Sequence, residues 1–183
     1  MVVLIVVVCI IIFLLIWIGV TYNKLVKLRN NVKEQWSQVD VQLKRRYDLI
    51  PNLVETVKSY LKYEKETLEA VVNARNLVTT ANNIKEEMAA DQQLEGALQK
   101  LFVSVEAYPE LKADQSFKNL QDNLRETENK ITYSRQFYND SVLKYKNCIE
   151  TFPTVMIAKS FGFNQEDFFI VKEDERKNVK VEL

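Results

Sequence analysis

The chain has 183 residues, with 25 basic and 25 acidic side chains, three Gly, three Pro, two Cys and no His. That length fits one compact domain plus an attached segment, and a zero net charge supplies no global field that would recruit nucleic acid. Without His, neither a Glu-x-x-His di-metal site nor a Ser–His or Cys–His nucleophile can be built; glycines at 19, 96 and 162 leave no phosphate loop.

The first element runs from Val2 to Val20 and carries no charged or strongly polar side chain. As a helix it spans roughly 28 Å, close to the ~30 Å hydrocarbon core of a bilayer. Its β-branched residues would favour a strand in water, but in lipid the backbone must satisfy its own hydrogen bonds, so helix is expected. A cleaved signal peptide would need a basic start and a small-x-small site. Here the apolar run begins at residue 2, and Gly19-Val20-Thr21 is a poor site. Lipid attachment at Cys9 would need small residues before it, where Val6-Val7-Val8 stand, and so long an apolar run does not suit a soluble core helix. Residues 1–21 are therefore expected to span the membrane, with Trp17 and Tyr22 at the headgroup level.

Lys24, Lys27, Arg29 and Lys33 follow the span before or near the first acid, Glu34. The positive-inside rule then predicts a single-pass protein of the cell (inner) membrane, its short N-terminus outside and its helical domain in the cytoplasm. The same cations would face anionic headgroups. Cys9 lies in the span and Cys148 far along the chain, so no disulfide framework is expected.

From residue 22 the apolar positions recur by threes and fours. Leu25, Leu28, Val32, Trp36, Val39, Leu43, Tyr47, Ile50, Val54, Val57 and Leu61 form one seam that continues in phase through Pro51. This predicts either one long helix bent at Ile50–Pro51 or two helices sharing a direction. A second block begins at Leu68, Val71, Arg75 and Val78; Leu94, Leu98, Leu101, Val105 and Tyr108 follow out of phase. The polar residues 79–91 between them read as a loop, a stutter or a hairpin tip. The third block runs from Phe117 to Ile149, with Asp114 or Ser116 as its cap and Pro153 beyond its end. Thr127 and Ser134 lie on its seam, and polar residues there, like Arg75, ordinarily fix register.

The predicted class is all-α: the membrane helix, then over 22–162 an elongated antiparallel bundle of three long helices, or four if residues 79–91 break the second. A short helix from Pro153 to about Ser160 should end at Gly162. In the tail, 163–183, Phe163, Phe168, Phe169, Ile170 and Val171 are expected to dock on the bundle before a charged run.

The segment Gln35-Trp36-Ser37-Gln38-Val39-Asp40 through Arg45-Arg46-Tyr47-Asp48-Leu49-Ile50-Pro51-Asn52-Leu53-Val54-Glu55-Thr56-Val57 resembles the signature of the LemA family. So do Glu106-Ala107-Tyr108-Pro109-Glu110-Leu111-Lys112-Ala113, Tyr138-Asn139-Asp140 and Phe161-Gly162-Phe163, and the resemblance covers Tyr22 to about Phe169. It implies a bacterial membrane protein with one N-terminal span and a helical bundle, and no enzyme activity. Residues 79–93 and the tail match little, so nothing carries over to them.

Asp40, Lys44, Arg45, Arg46, Asp48, Asn52 and Glu55 form the most suggestive polar cluster, with Tyr133, Arg135, Asn139 and Asp140 as a candidate matching surface. Spacing at i,i+4 offers Lys44 ion pairs with Asp40 and Asp48, the plain structural reading. The functional reading is a surface for a protein partner or for self-association; on a projecting helix residue 45 lies roughly 35 Å past the bilayer edge, beyond lipid. No cofactor, metal, nucleic acid or small-molecule substrate is expected. A scaffold or adaptor leads, and a sensory component signalling through the first helix is the alternative.

Overall fold

The computed structural model describes residues 1–61 and 63–169, so Ile170, Val171 and the charged run lie outside the described residues. Among the described residues the chain is all-helical without strands. The helices are α1 (Val2–Lys58), α2 (Lys65–Thr79), α3 (Ile84–Val105), α4 (Pro109–Ala113), α5 (Gln115–Glu150) and α6 (Thr154–Ser160). The chain divides into two compact units. One joins Met1–Trp36 to the residues from Arg135 onward, and the other is Ser37–Ser134.

In the first unit, α1 is exposed on every side from Val2 to Ile16 and is long and apolar enough to cross a membrane. Packing begins at Thr21 and Leu25, which are buried. α1 and α5 run antiparallel. Trp36 meets Tyr138 edge-on at 5.3 Å, and the Tyr145 hydroxyl, seven residues on, is pushed up by burial first and by Glu166 next, with the charge of Arg29, seven residues back, opposing them. α6 ends as expected at Gly162, whose φ of 70° is open to glycine. The Phe163 amide donates to the Ala158 carbonyl at 2.9 Å and Gly162 to that of Lys159 at 3.4 Å, a Schellman closure. Phe163 and Phe169 are buried and Phe168 half-buried, so the phenylalanines do dock.

In the second unit, α1, α2, α3 and α5 surround one core containing Leu43, Ile50, Leu53, Val57, Val71, Leu94, Leu101 and Phe117. Leu53 rather than Val54 takes the buried position, because a 3.6-residue helix drifts out of a strict heptad. The expected second helix is two. α2 stops at Thr79, and α3 starts after Asn83, whose side chain accepts the Glu86 amide at 2.9 Å. The reading of residues 79–91 as a hairpin tip therefore holds for residues 80–83, while Ile84–Asp91 are helical. Asp114 caps α5 by accepting the Phe117 amide at 2.9 Å. α1 and α5 are antiparallel here too: Arg46 meets Glu128, and Tyr60, fourteen residues on, meets Asp114, fourteen residues back.

Helix α1 continues through Pro51 as one element. Proline has no N–H, so the carbonyl four residues earlier loses its helical donor. That carbonyl belongs to Tyr47, and the Arg75 Nε of α2 donates to it at 3.2 Å. A seam arginine thus replaces the missing backbone donor.

Candidate functional site

Three helices converge on Arg46, whose side chain is 1 % exposed. One guanidinium nitrogen pairs with Asp91 of α3, itself fully buried, and the other with Glu128 of α5 at 2.5 Å. The Tyr47 hydroxyl also reaches Asp91 at 3.2 Å. A buried charge is tolerated only when paired and hydrogen-bonded, so two carboxylates and a phenol around one cation fix the register of α1, α3 and α5. The Arg46 Nε remains buried without a hydrogen-bond partner.

Arg46 also lines a half-open cleft of about 390 Å³ formed by α3 and α5. Leu98, Phe102 and Leu124 supply apolar lining; Glu95, Gln99, Gln121, Arg125, Glu128 and Asn129 add polar groups. A second hollow of about 510 Å³ lies where Tyr108, Pro109 and Glu110 face Ser59 and Tyr60.

One turn before Asp91, the Glu87 carboxyl is pushed up to about 7 by burial first, then by the charge and hydrogen bond of Asp40. Two carboxyl groups at hydrogen-bond distance favour sharing a proton. Asp40 therefore faces Glu87. Among the described residues, the ion pairs expected between Lys44 and Asp40 or Asp48 do not form, and all three side chains are exposed. Arg45 approaches Glu126 at 3.7 Å, and Glu126 is held below the usual carboxylate range by Lys130 first and Arg45 less.

Of the predicted surface cluster, Arg46 belongs to the interior, whereas Asp40, Lys44, Asp48, Asn52 and Glu55 are exposed along α1. Their spacing of four, four, four and three residues makes one stripe. Tyr133 and Asp140 are exposed on α5. Arg135 and Asn139 serve the chain's own C-terminal segment. The Arg135 guanidinium lies 4.4 Å from the Phe169 ring. The Asn139 amide donates to the Phe169 carbonyl at 3.0 Å and accepts its N–H at 2.8 Å. Trp36 stacks on the same ring, and the Tyr138 hydroxyl donates to the Asp167 carbonyl at 2.8 Å. Burial above all pushes that hydroxyl well above the ordinary tyrosine range. Of the interfacial set, Lys24, Lys27 and Lys33 are exposed, Trp17 is half-buried, Tyr22 touches Phe161 and Phe163, and Arg29 lies 5.1 Å from the Phe163 ring.

Sequence reasoning missed Asp91 and Glu128, the partners of Arg46. A signal existed for the first: Met88, Asp91, Leu94, Leu98 and Leu101 recur by threes and fours, so Asp91 occupies an apolar seam position. Glu128 flanks the seam residue Thr127 and carries no comparable mark.

An exposed apolar span joined to an all-helical body with a buried ionic node defines a single-pass, membrane-associated helical protein. The chain belongs to the LemA family, whose sequence model matches residues 35–183. It is similar to Protein LemA of Metamycoplasma hominis, 23% identical over 92% of this chain and 81% of that one. It is also similar to the magnetosome protein MamQ of Magnetospirillum gryphiswaldense, 24% identical over 81% of this chain. The match covers 64% of that relative's length. Neither relative carries an enzyme name.

Proposed function

We propose that the chain is a membrane-anchored scaffold or adaptor that holds a partner protein, or a second copy of itself, in the α3–α5 cleft. The observation that carries this reading is the cleft's make-up. Leu98, Phe102 and Leu124 provide the apolar surface that dominates binding energy, and Gln99, Gln121, Arg125 and Asn129 provide the polar groups that give specificity. Arg46, buried and paired with Asp91 and Glu128, gives the cleft a fixed floor rather than a contact of its own. The exposed α1 stripe from Asp40 to Glu55, with Tyr133 and Asp140, supplies further contact candidates. Lys24, Lys27, Arg29 and Lys33 favour a cytoplasmic cleft. Signalling along α1 has less support, because the helix continues through Pro51 and Arg75 holds the carbonyl freed there.

The test is photo-crosslinking in intact cells, with a photoreactive residue at Gln99 or at Asp48 of the full chain and at Val72 of α2 as the comparison. The expected result is a discrete adduct from position 99 that Phe102→Glu abolishes without lowering membrane abundance. An adduct of twice the chain mass identifies self-association. Crosslinks no stronger at 99 than at 72, or unchanged by Phe102→Glu, overturn the cleft as the working surface. A discrete adduct from position 48 alone would move the contact to the stripe.

A further inference from the structure

The segment around α6 carries three large apolar side chains that the described residues leave mostly exposed: Phe152 is 75 % exposed, Met156 62 % and Phe161 56 %. Scattered over the body they would need no explanation. Their level relative to the membrane span gives them one.

One contact and the register of two helices set that level. The Phe161 ring lies edge-on to Tyr22 at 5.1 Å, and Tyr22 stands two residues past the last apolar residue of the span, Val20. The antiparallel register of α1 and α5 points to the same height. Trp36 meets Tyr138, and fourteen residues along each chain in opposite directions bring Tyr22 level with Phe152, two residues past the end of α5. The turn at Phe152 and the end of α6 at Phe161 thus both lie where α1 enters the bilayer. The distance from Val20 to Tyr22 along the helix is only about 3 Å.

Charge agrees with that placement. Lys24, Lys27 and Lys159 are exposed close by in sequence to these contacts, and Arg29 is held against Phe163, which also touches Tyr22. Aromatic rings and methionine beside lysines suit the headgroup–acyl boundary, where apolar side chains enter the acyl region and cations meet anionic lipid. Ile157 and Ala158, by contrast, are buried against the rest of the unit and fix α6 in place.

We infer that the Phe152–Phe161 segment is a second membrane contact, an interfacial foot in which Phe152, Met156 and Phe161 enter the headgroup–acyl boundary beside the span. The lipid surface thereby holds the unit at two points, the span and the foot, and restrains its rotation about the α1 axis. This goes beyond the adaptor reading and does not depend on which compartment the helical body faces.

The test uses the full chain with Cys9→Ser and Cys148→Ser in nanodiscs of phosphatidylethanolamine and phosphatidylglycerol. Single spin labels are placed by Phe152→Cys, Met156→Cys or, as a reference in the other unit, Val103→Cys; all three parent side chains are exposed, and circular dichroism checks that helicity is kept. Collision rates with oxygen, which concentrates in lipid, and with a water-soluble nickel chelate report depth. The expected oxygen-to-nickel ratio is several-fold higher at 152 and 156 than at 103. A ratio at either position equal to that at 103 overturns the foot. Labels shielded from both reagents also overturn it and assign the patch to protein, such as a second copy of the chain.

Discussion

Proline at position 51 removes a hydrogen-bond donor from the interior of α1, and Arg75 makes good the loss at the Tyr47 carbonyl. An unpaired buried carbonyl costs about 1–3 kcal/mol. Arg75→Met should therefore lower stability by about 1–2 kcal/mol, read as a drop in Tm of the detergent-solubilised chain. In a Pro51→Ala background the restored N–H can take the same carbonyl, so the cost of Arg75→Met should shrink. An equal cost in both backgrounds would show that Arg75 acts elsewhere.

Glu87 gives a second prediction at this scale. Its folded pKa, about 7, stands above the ordinary 4.5, so the native state prefers the protonated acid. The associated stability is fully present below about pH 4.5 and is lost as pH rises through about 7. Glu87 is only half-buried, and screening reduces the effect to on the order of 1 kcal/mol. Thermal melts from pH 5 to pH 8 should show this decline for the parent chain, and Glu87→Gln should flatten it and raise Tm at pH 8. A slope left intact by Glu87→Gln would assign the proton to another group.

At the scale of elements, Arg46, Asp91 and Glu128 tie together three helices that apolar packing alone would leave freer to slide. Removing one partner of a buried ion pair strands the other charge. Asp91→Ala should accordingly cost about 3–5 kcal/mol, well above an ordinary helix substitution. Arg46→Met combined with Asp91→Leu should cost less than Asp91→Ala alone, since no buried charge is stranded. Urea unfolding of the three chains decides this, and a double variant less stable than Asp91→Ala contradicts it.

The helices themselves were legible because apolar residues at threes and fours encode a buried face directly. Asp114 and Gly162 mark helix ends by local hydrogen bonding, and both were visible in the sequence, whereas the Asn83 cap of α3 was not. The α2–α3 break was only partly legible. Its polar stretch holds both the turn at 80–83 and the first two turns of α3, and local composition does not separate them. The partners of Arg46 were less legible still. Asp91 lies 45 residues away and Glu128 82 residues away, so their meeting depends on the tertiary register of three helices. Arg135 and Asn139 read as surface groups for the same reason: Phe169, which occupies them, is 30 residues downstream of Asn139.

For the whole molecule, the start of α1 is long and apolar enough to cross a membrane, and the LemA family match covers residues 35–183. A cytoplasmic adaptor requires the cleft to face the cytoplasm, as the cations that follow the span favour. Compartment-specific labelling tests this most directly. The chain with Cys9→Ser, Cys148→Ser and Ser59→Cys, produced in bacterial cells, is treated with a membrane-impermeant maleimide. The predicted result is no labelling of intact cells or of osmotically opened periplasm, and full labelling once the inner membrane is disrupted. Labelling of Ser59→Cys before that disruption would place the helical body outside the cytoplasm and contradict the proposed role.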